Sequence, residues 1–315
     1  MFAPLVAWLR QQQITFSENA AIGPHLYFKI GGTVSLLVTC NSAAQLAAVM
    51  KKIIAGSLPY LVIGGGSNIA FFDGLTRVVV VLVQVASCAS TVPIRLLDDR
   101  LLAVESGVRN QQLLSWCAAK GAGGLEFLSG IPGTIGGAAA VNAGAFGCSM
   151  ADVLSGADII DAQGKVRTVD SGYFGFVYRD SRFKFGRDIL LSLRLKFSPG
   201  DEGLISKKIR DNLEYRLAHH PSYRQASAGC FFKNPRLRGV KSSAGKIIEE
   251  CGLKNMTVGG LSVAGEHGNF LLNHGNASFK DLQCLEKKIQ SAVAARSGIV
   301  LEREVIYVAA DGSKY

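Results

Sequence analysis

Residues 123–147 read GGLEFLSGIPGTIGGAAAVNAGAFG, with eight glycines and one charged residue, Glu126. Each glycine gives up more backbone freedom on folding than any other residue. The stretch is therefore not expected to form an ordinary helix or strand, and suits a backbone that must pass close to something. Upstream, the strand-like PYLVI (59–63) delivers a second cluster, GGGSN (64–68). Successive glycines let backbone N–H groups approach an oxyanion with no Cβ in the way, and Ser67 and Asn68 add side-chain donors. Neither loop is a Walker loop or a G-x-G-x-x-G dinucleotide fingerprint. Taken alone, GGGSN reads at least as well as a tight turn. The two loops together suggest a pyrophosphate clasped between them, with a dinucleotide held between subdomains and not in one Rossmann crevice.

Working outward, TVSLLVTC (33–40) reads as a strand and NSAAQLAAVMKKIIAG (41–56) as a capped helix with Leu46, Val49, Met50 and Ile53 on its apolar face. With the strand at 59–63 they make a compact βαβ unit. RVVVVLVQVA (77–86) is a buried strand, about half the length of a membrane-spanning helix. Several short strands follow up to residue 110, turning at Asp98-Asp99, and QQLLSWCAAKG (111–121) is a helix closed by glycine. DIIDAQGKVRTV (158–169) reads as a hairpin turning at Gly164, and RDILLSLRLKFSP (187–199) as a strand ended by Pro199. The texture changes at PGDEG, which places a domain boundary near 200. Beyond it come helices at 205–220, 246–252 and 278–297, strand-like segments at 256–263 and 269–273, and a terminal strand LEREVIYVA (301–309).

The chain has 315 residues, 48% of them hydrophobic and 18% charged, with 34 Lys and Arg against 24 Asp and Glu, a net charge of +10. That balance favours an anionic ligand. The basic residues are scattered; the densest cluster, RLRGVK (236–241), is short, and none is interleaved with stacking aromatics, so nucleic acid is not the expected partner. Seven cysteines lack any C-x-x-C pair, and five histidines lack an i, i+4 pair. No metal site is expected, and the thiols point to a reducing compartment. The N-terminal MFAPLVAWLRQQQ reads as a short amphipathic helix and not a signal peptide. A cytoplasmic monomer without membrane contact is the expectation.

Three stretches carry reactive groups. ASAGCFFKNP (226–235) sets Cys230 after a small, flexible run; free cysteine is commonly a buried apolar filler, and on this stretch alone packing is the stronger reading. YRDSRFK (178–184) contains Arg179, whose guanidinium would clamp a carboxylate with paired donors; exposed strand-edge charges are an equal alternative. LEREV (301–305) sets Glu302 and Glu304 on one face of a strand by the period of two, ordinarily a solvated face.

Taken together, HLYFKIGG (25–32), IGGGSNIAFFD (63–73), GLEFLSGIPGTIGGAAAVNAGAFG (124–147), YRDSRFK, SAGCFFKNP (227–235), AGKIIEECGLKN (244–255) and LEREV resemble, in order, the UDP-N-acetylenolpyruvoylglucosamine reductases. The resemblance implies an α+β fold of the family's shorter type. Residues 1–200 would form an FAD-binding module of the vanillyl-alcohol oxidase (PCMH) type, in subdomains of about 1–72 and 73–200, and residues 201–315 an α+β substrate-binding domain. It implies NADPH-dependent reduction of UDP-N-acetylglucosamine enolpyruvate to the D-lactyl ether of UDP-N-acetylmuramate in peptidoglycan precursor synthesis. Noncovalent FAD would be held by Gly64, Gly65, Gly66, Ser67, Asn68, Gly133, Thr134, Gly137 and Asn142. Arg179 and Glu304 fall where the family meets the substrate carboxylate, and Asn234 and His267 where it meets other parts of the substrate.

Two positions depart from the family. Cys230 stands where the best-known members carry the serine that protonates C2. A thiol with an ordinary pKa near ~8.5 is mostly protonated at neutral pH and is a better acid than an alcohol, so the resemblance turns the reading of Cys230 toward a general acid. His219-His220 stands where the family often carries a lysine near the substrate phosphates. An FAD-dependent oxidase of the same fold is the alternative function.

Overall fold

TVSLLVTC forms the strand Thr33–Cys40; Ser42 then accepts the Gln45 N–H and caps the helix Ala43–Ala55. That helix buries Leu46, Val49, Met50 and Ile53, the i, i+3, i+4, i+7 stripe of an amphipathic helix. The strand Tyr60–Ile63 follows. In the sheet, however, Leu75–Val83 lies between Thr33–Cys40 and Tyr60–Ile63, with Phe16–Ala21 at the far edge. It runs parallel to Tyr60–Ile63. The expected βαβ unit is thus opened to admit a third strand, and the run Val78–Val83, buried throughout, is apolar because it is central.

The structure is a computed structural model describing residues 1–85, 93–237 and 239–315. Cys88, the end of the apolar run at Ala86, and Arg238 of the basic cluster lie outside the described residues.

Two compact units divide the chain. One comprises Met1–Glu18, Leu36–Gly65 and Val78–Tyr215, the other Asn19–Ser35, Gly66–Arg77 and Arg216–Tyr315. The change of sequence texture at 200 marks a different place, the start of the helix Glu202–His219, along which the first unit gives way to the second.

The first unit has two cores. One packs the N-terminal helix Ala3–Gln11, through Leu5, Val6 and Leu9, with Val79, Val81 and Val83 of the central strand. The other lies with an antiparallel five-stranded sheet in the order Val166–Asp170, Leu154–Ile160, Ile189–Lys196, Leu101–Glu105, Ile94–Leu96. The Gly164 turn of its hairpin has φ +82°. The extended run does end at Pro199, after a break at Phe197: the strand proper closes at Lys196, and Ser198–Pro199 pairs with Ala122–Gly123.

In the second unit, Thr257–Val258, Leu261–Val263 and Leu271–Asn273 form an antiparallel meander. Its core holds Phe231, Phe232, Leu282, Leu285 and Tyr307. Ser278 caps the helix Phe279–Ser297 with a capping box to Asp281, and the Phe279 N–H donates to both Asp73 carboxylate oxygens at 2.8 and 2.9 Å. An anion at that helix start also opposes the positive end of its dipole. Ile306–Val308 pairs in parallel with Ile69–Phe71. The terminal strand is shorter than expected: residues 301–305 hold only an isolated bridge, Arg303 to Phe232.

Candidate active site

In the first unit the two glycine-rich loops lie against each other. A Cβ on Gly64 would fall 2.2 Å from Thr134 Oγ1, and one on Gly65 would fall 2.5 Å from the Gly133 Cα. Both positions are glycine because each loop crowds the other. Gly137 is different: its Cβ would meet only Thr134 Oγ1, at the ordinary distance of 3.5 Å. It also sits inside a helix, Ile135–Ala140, capped by Thr134, whose Oγ1 accepts the Gly137 N–H at 3.3 Å. A helix therefore forms where glycine density spoke against one, because the Thr134 cap and Ala138–Ala140 offset the glycine pair. Glycine in a helix costs about 1 kcal/mol relative to alanine, and no protein atom at Gly137 requires it.

Asn142, at φ +46°, spends its side chain within the loop, donating to Val177 O at 2.8 Å and accepting the Ala151 N–H at 3.1 Å. Its carbonyl and that of Gly144 receive the Arg179 guanidinium, at 3.5 and 2.7 Å. Arg179 itself has the left-handed φ of +58°, an uncommon and costly conformation for a long side chain. The YRDSRFK stretch is not a strand edge. Ser181 caps the short helix Arg182–Phe185 and donates to Ala140 O at 2.7 Å, and Lys184 is 4% exposed.

In the second unit, Gly66 has φ +66° and a Cβ there would meet His25 O at 2.9 Å. Asn68 donates through Nδ2 to Glu304 O at 3.3 Å, and its own carbonyl accepts the Ile306 N–H at 3.0 Å. The residue expected at the cofactor thus also braces the segment carrying Glu304.

Cys230 follows Gly229 at φ +75°, is bridged to Phe270, and packs beside Ala264, Phe270 and Leu272. The chain just after it is held on both sides. On one, Glu304 N–H donates to Phe231 O and Lys233 N–H to Glu302 O, both at 2.8 Å. On the other, Phe231 N–H donates to Asn269 O at 2.8 Å, while the Asn269 side-chain amide accepts the Phe232 N–H and donates to Phe232 O, each at 2.8 Å. Glu302 and Glu304 therefore share a short rung and not a long strand. Glu302 is 71% exposed and pairs with Lys233 at 2.5 Å. Behind them Arg303 lies 3.6 Å from the Tyr307 ring centroid, with its Nη1 3.2 Å from Glu286 Oε2, which also accepts the Tyr307 hydroxyl at 2.7 Å.

Asn234 Oδ1 accepts the Ala244 N–H at 2.9 Å, at the start of the helix Ala244–Glu250. His267 accepts the Asn269 N–H on Nδ1 at 3.1 Å, which leaves the proton of the neutral ring on Nε2. Its ring stands edge-on to His220 at 5.5 Å, and both rings contact Phe270. Burial lowers both pKa values. That of His220 is pushed down to about 4, with Arg216, His267 and His219 adding to the effect of burial. Asn269 and the pairing of His220 with His267 were not legible in the sequence; only the two histidines' composition could have drawn attention to them.

Residues 220–308 match the C-terminal domain of UDP-N-acetylenolpyruvoylglucosamine reductase, and residues 34–170 match an FAD binding domain. A UDP-N-acetylenolpyruvoylglucosamine reductase of Geotalea uraniireducens is 37% identical over 98% of this chain and 97% of its own. The chain belongs to the UDP-N-acetylenolpyruvoylglucosamine reductase family. A relative of the same name from Clostridioides difficile is 37% identical over 89% of both chains. The crystal structure of the reductase from Thermus caldophilus superimposes with a TM-score of 0.75 at 30% identity, covering 93% of this chain and 98% of that one.

As a member of this reductase family the protein is an α+β flavoenzyme of peptidoglycan synthesis, with FAD as cofactor and UDP-N-acetylenolpyruvoylglucosamine as substrate. The residues fit the cofactor: beside the crowded Gly64 and Gly65, a Cβ on the helical Gly137 would meet only Thr134 Oγ1, at 3.5 Å, so the bare backbone there is not required by protein packing. No described helix is long and apolar enough to cross a membrane.

Proposed function

We propose that NADPH is the reductant and that Arg179, Cys230 and Glu304 act on the enolpyruvyl group, giving the D-lactyl ether of UDP-N-acetylmuramate. Bound FAD, noncovalently held, supplies the two-electron carrier between NADPH and the substrate double bond. Gly64, Gly65, Gly66, Ser67, Asn68, Gly133, Thr134, Gly137 and Asn142 are the residues assigned to hold it. Arg179 offers the substrate carboxylate a forked cation, which stabilises charge that builds as C3 is reduced. The carbonyls of Asn142 and Gly144 fix that fork. Cys230 gives its thiol proton to C2. Glu304 beside a substrate carboxylate is best assigned as a protonated, hydrogen-bonding acid, since two carboxylates cannot both ionise cheaply at one site. Asn234 and His267 are assigned to the remainder of the substrate. In this reading residues 1–200 carry the cofactor and 201–315 the substrate, in a cytoplasmic monomer.

The observation that carries the proposal is the rung between the two segments: Glu304 N–H donates to the carbonyl of Phe231, the residue after Cys230. Cys230 and Glu304 thus belong to adjoining, hydrogen-bonded segments of one unit. The test separates the half-reactions by stopped flow. Cys230→Ala should leave flavin reduction by NADPH nearly intact and slow reoxidation by the enolpyruvyl nucleotide by about 10²–10⁴-fold, the usual worth of a positioned general acid. Cys230→Ser should recover much of that loss. Reoxidation of Cys230→Ala at the wild-type rate would show that the thiol only packs.

A further inference from the structure

We infer that Asn269 is a positioning residue of the reduction, setting Cys230, Glu304 and His267 in a single register; the inference rests on the reading of Cys230 given above. Asn269 is 2% exposed, and each of its polar groups is committed. Its carbonyl accepts the Phe231 N–H, its Oδ1 accepts the Phe232 N–H, its Nδ2 donates to Phe232 O, and its own N–H donates to His267 Nδ1. The side-chain amide thereby substitutes for a peptide group of the ladder. In an ordinary antiparallel pair the neighbouring backbone would supply those two bonds; here one side chain does, and the backbone at 267–270 is freed to turn.

The consequence is geometric. The segment after Cys230 is the middle line of three: Asn269 grips one edge, and the segment carrying Glu304 grips the other through Phe231 O and Lys233 N. A shift of this middle line moves the thiol and breaks the rung to Glu304 together. The same residue fixes the proton of His267 on Nε2, because Nδ1 is occupied as an acceptor. The side-chain amide thus holds the segment that carries Cys230 and the rung to Glu304, the main-chain N–H of the same residue holds His267, and Asn269 itself touches none of the reacting atoms. Burial makes the device unforgiving, since an unpaired polar group in the interior costs its full desolvation.

The experiment uses the flavin-loaded enzyme and follows the two half-reactions separately. Asn269→Asp keeps an acceptor for the Phe232 N–H and replaces the donor facing Phe232 O. Asn269→Ser, a smaller polar change, serves if the aspartate variant does not fold. Flavin reduction by NADPH should stay within about 2-fold of wild type, while reoxidation by the enolpyruvyl nucleotide falls on the order of 10–10²-fold, the size of effect expected from a small misplacement of a reacting group. In the Cys230→Ala background the same change should cost less than the product of the two single losses, because both act at one step. Mass-mapped alkylation of Cys230 in flavin-free protein should also change rate with Asn269→Asp. Equal slowing of both half-reactions, no slowing of either, or fully multiplicative losses would overturn the inference. A Cys230→Ala enzyme that reoxidises normally defeats the reading of the thiol instead, and the split between half-reactions alone then decides Asn269.

Discussion

The glycine-rich loops of the first unit and the three-line ladder of the second are both built from backbone groups, yet they are assembled in opposite ways. In the loops the important residues are contiguous, and their composition has no ordinary use in a helix or strand. In the ladder, residues 230, 269 and 304 come from three distant places, and each is unremarkable where it stands. Composition reveals a site when the backbone itself must be bare; it is silent when a single side chain supplies the missing hydrogen bonds.

The first region also teaches that one glycine signature has two causes. Gly64 and Gly65 are small because the opposite loop presses on them, whereas a Cβ on Gly137 would make only an ordinary contact with Thr134 Oγ1. The loops hold Arg179 as well, through the carbonyls of Asn142 and Gly144.

The largest effect that sharpens this contrast is expected at Arg179. Arg179→Lys keeps the charge but loses the fork, and the substrate half-reaction should fall on the order of 10²-fold, as for removal of a charge-stabilising donor. Flavin binding should persist. An unchanged rate at saturating substrate would remove Arg179 from the carboxylate and leave its strained φ as a loop property.

Next is the pair Gly65→Ala and Gly137→Ala. The first drives a methyl into the Gly133 backbone and should destabilise the fold by about 1–3 kcal/mol, as overpacking does. The second should raise stability by about 1 kcal/mol through helix propensity while weakening flavin retention. Thermal melts of flavin-free protein, with flavin titrations beside them, read both quantities. If Gly137→Ala retained flavin with wild-type affinity, the bare helical backbone at Gly137 would not be where the cofactor lies.

The smallest effect concerns His220. Its pKa is pushed from 6.5 down to about 4 in the folded protein. The unfolded chain therefore takes up a proton that the folded one refuses, so stability is lost as pH falls from about 6.5 and levels off below about 4. His220→Gln should remove part of this acid loss, on the order of 1 kcal/mol after discounting for the partial exposure of the residue. Denaturation midpoints at pH 7 and at pH 5 would measure it; an identical acid loss in the variant would mean that His267 or a carboxylate carries the whole effect.

Much of the architecture was legible. The helix Ala43–Ala55 and the helix Phe279–Ser297 follow from capping serines and apolar periodicity, both local properties. The insertion of Leu75–Val83 between two strands that are closer in sequence was not legible, because strand order depends on which buried faces meet. Nor was the short helix inside the glycine loop, where the Thr134 cap outweighs the local glycine cost.

By itself the sequence determined the reactive groups, the two glycine loops, and the ordered motifs that carry the family resemblance, since each is a matter of residue type along a continuous stretch. Only the tertiary structure decided which glycines yield to protein and which do not. It alone decided that the arginine fork is held by loop carbonyls, and that Asn269 grips Phe231 and Phe232, the residues between Cys230 and the rungs to Glu302 and Glu304. Those outcomes are hydrogen bonds and close approaches between residues far apart in the chain, and such contacts have no local signature, because any polar side chain can serve until folding brings its partner within reach.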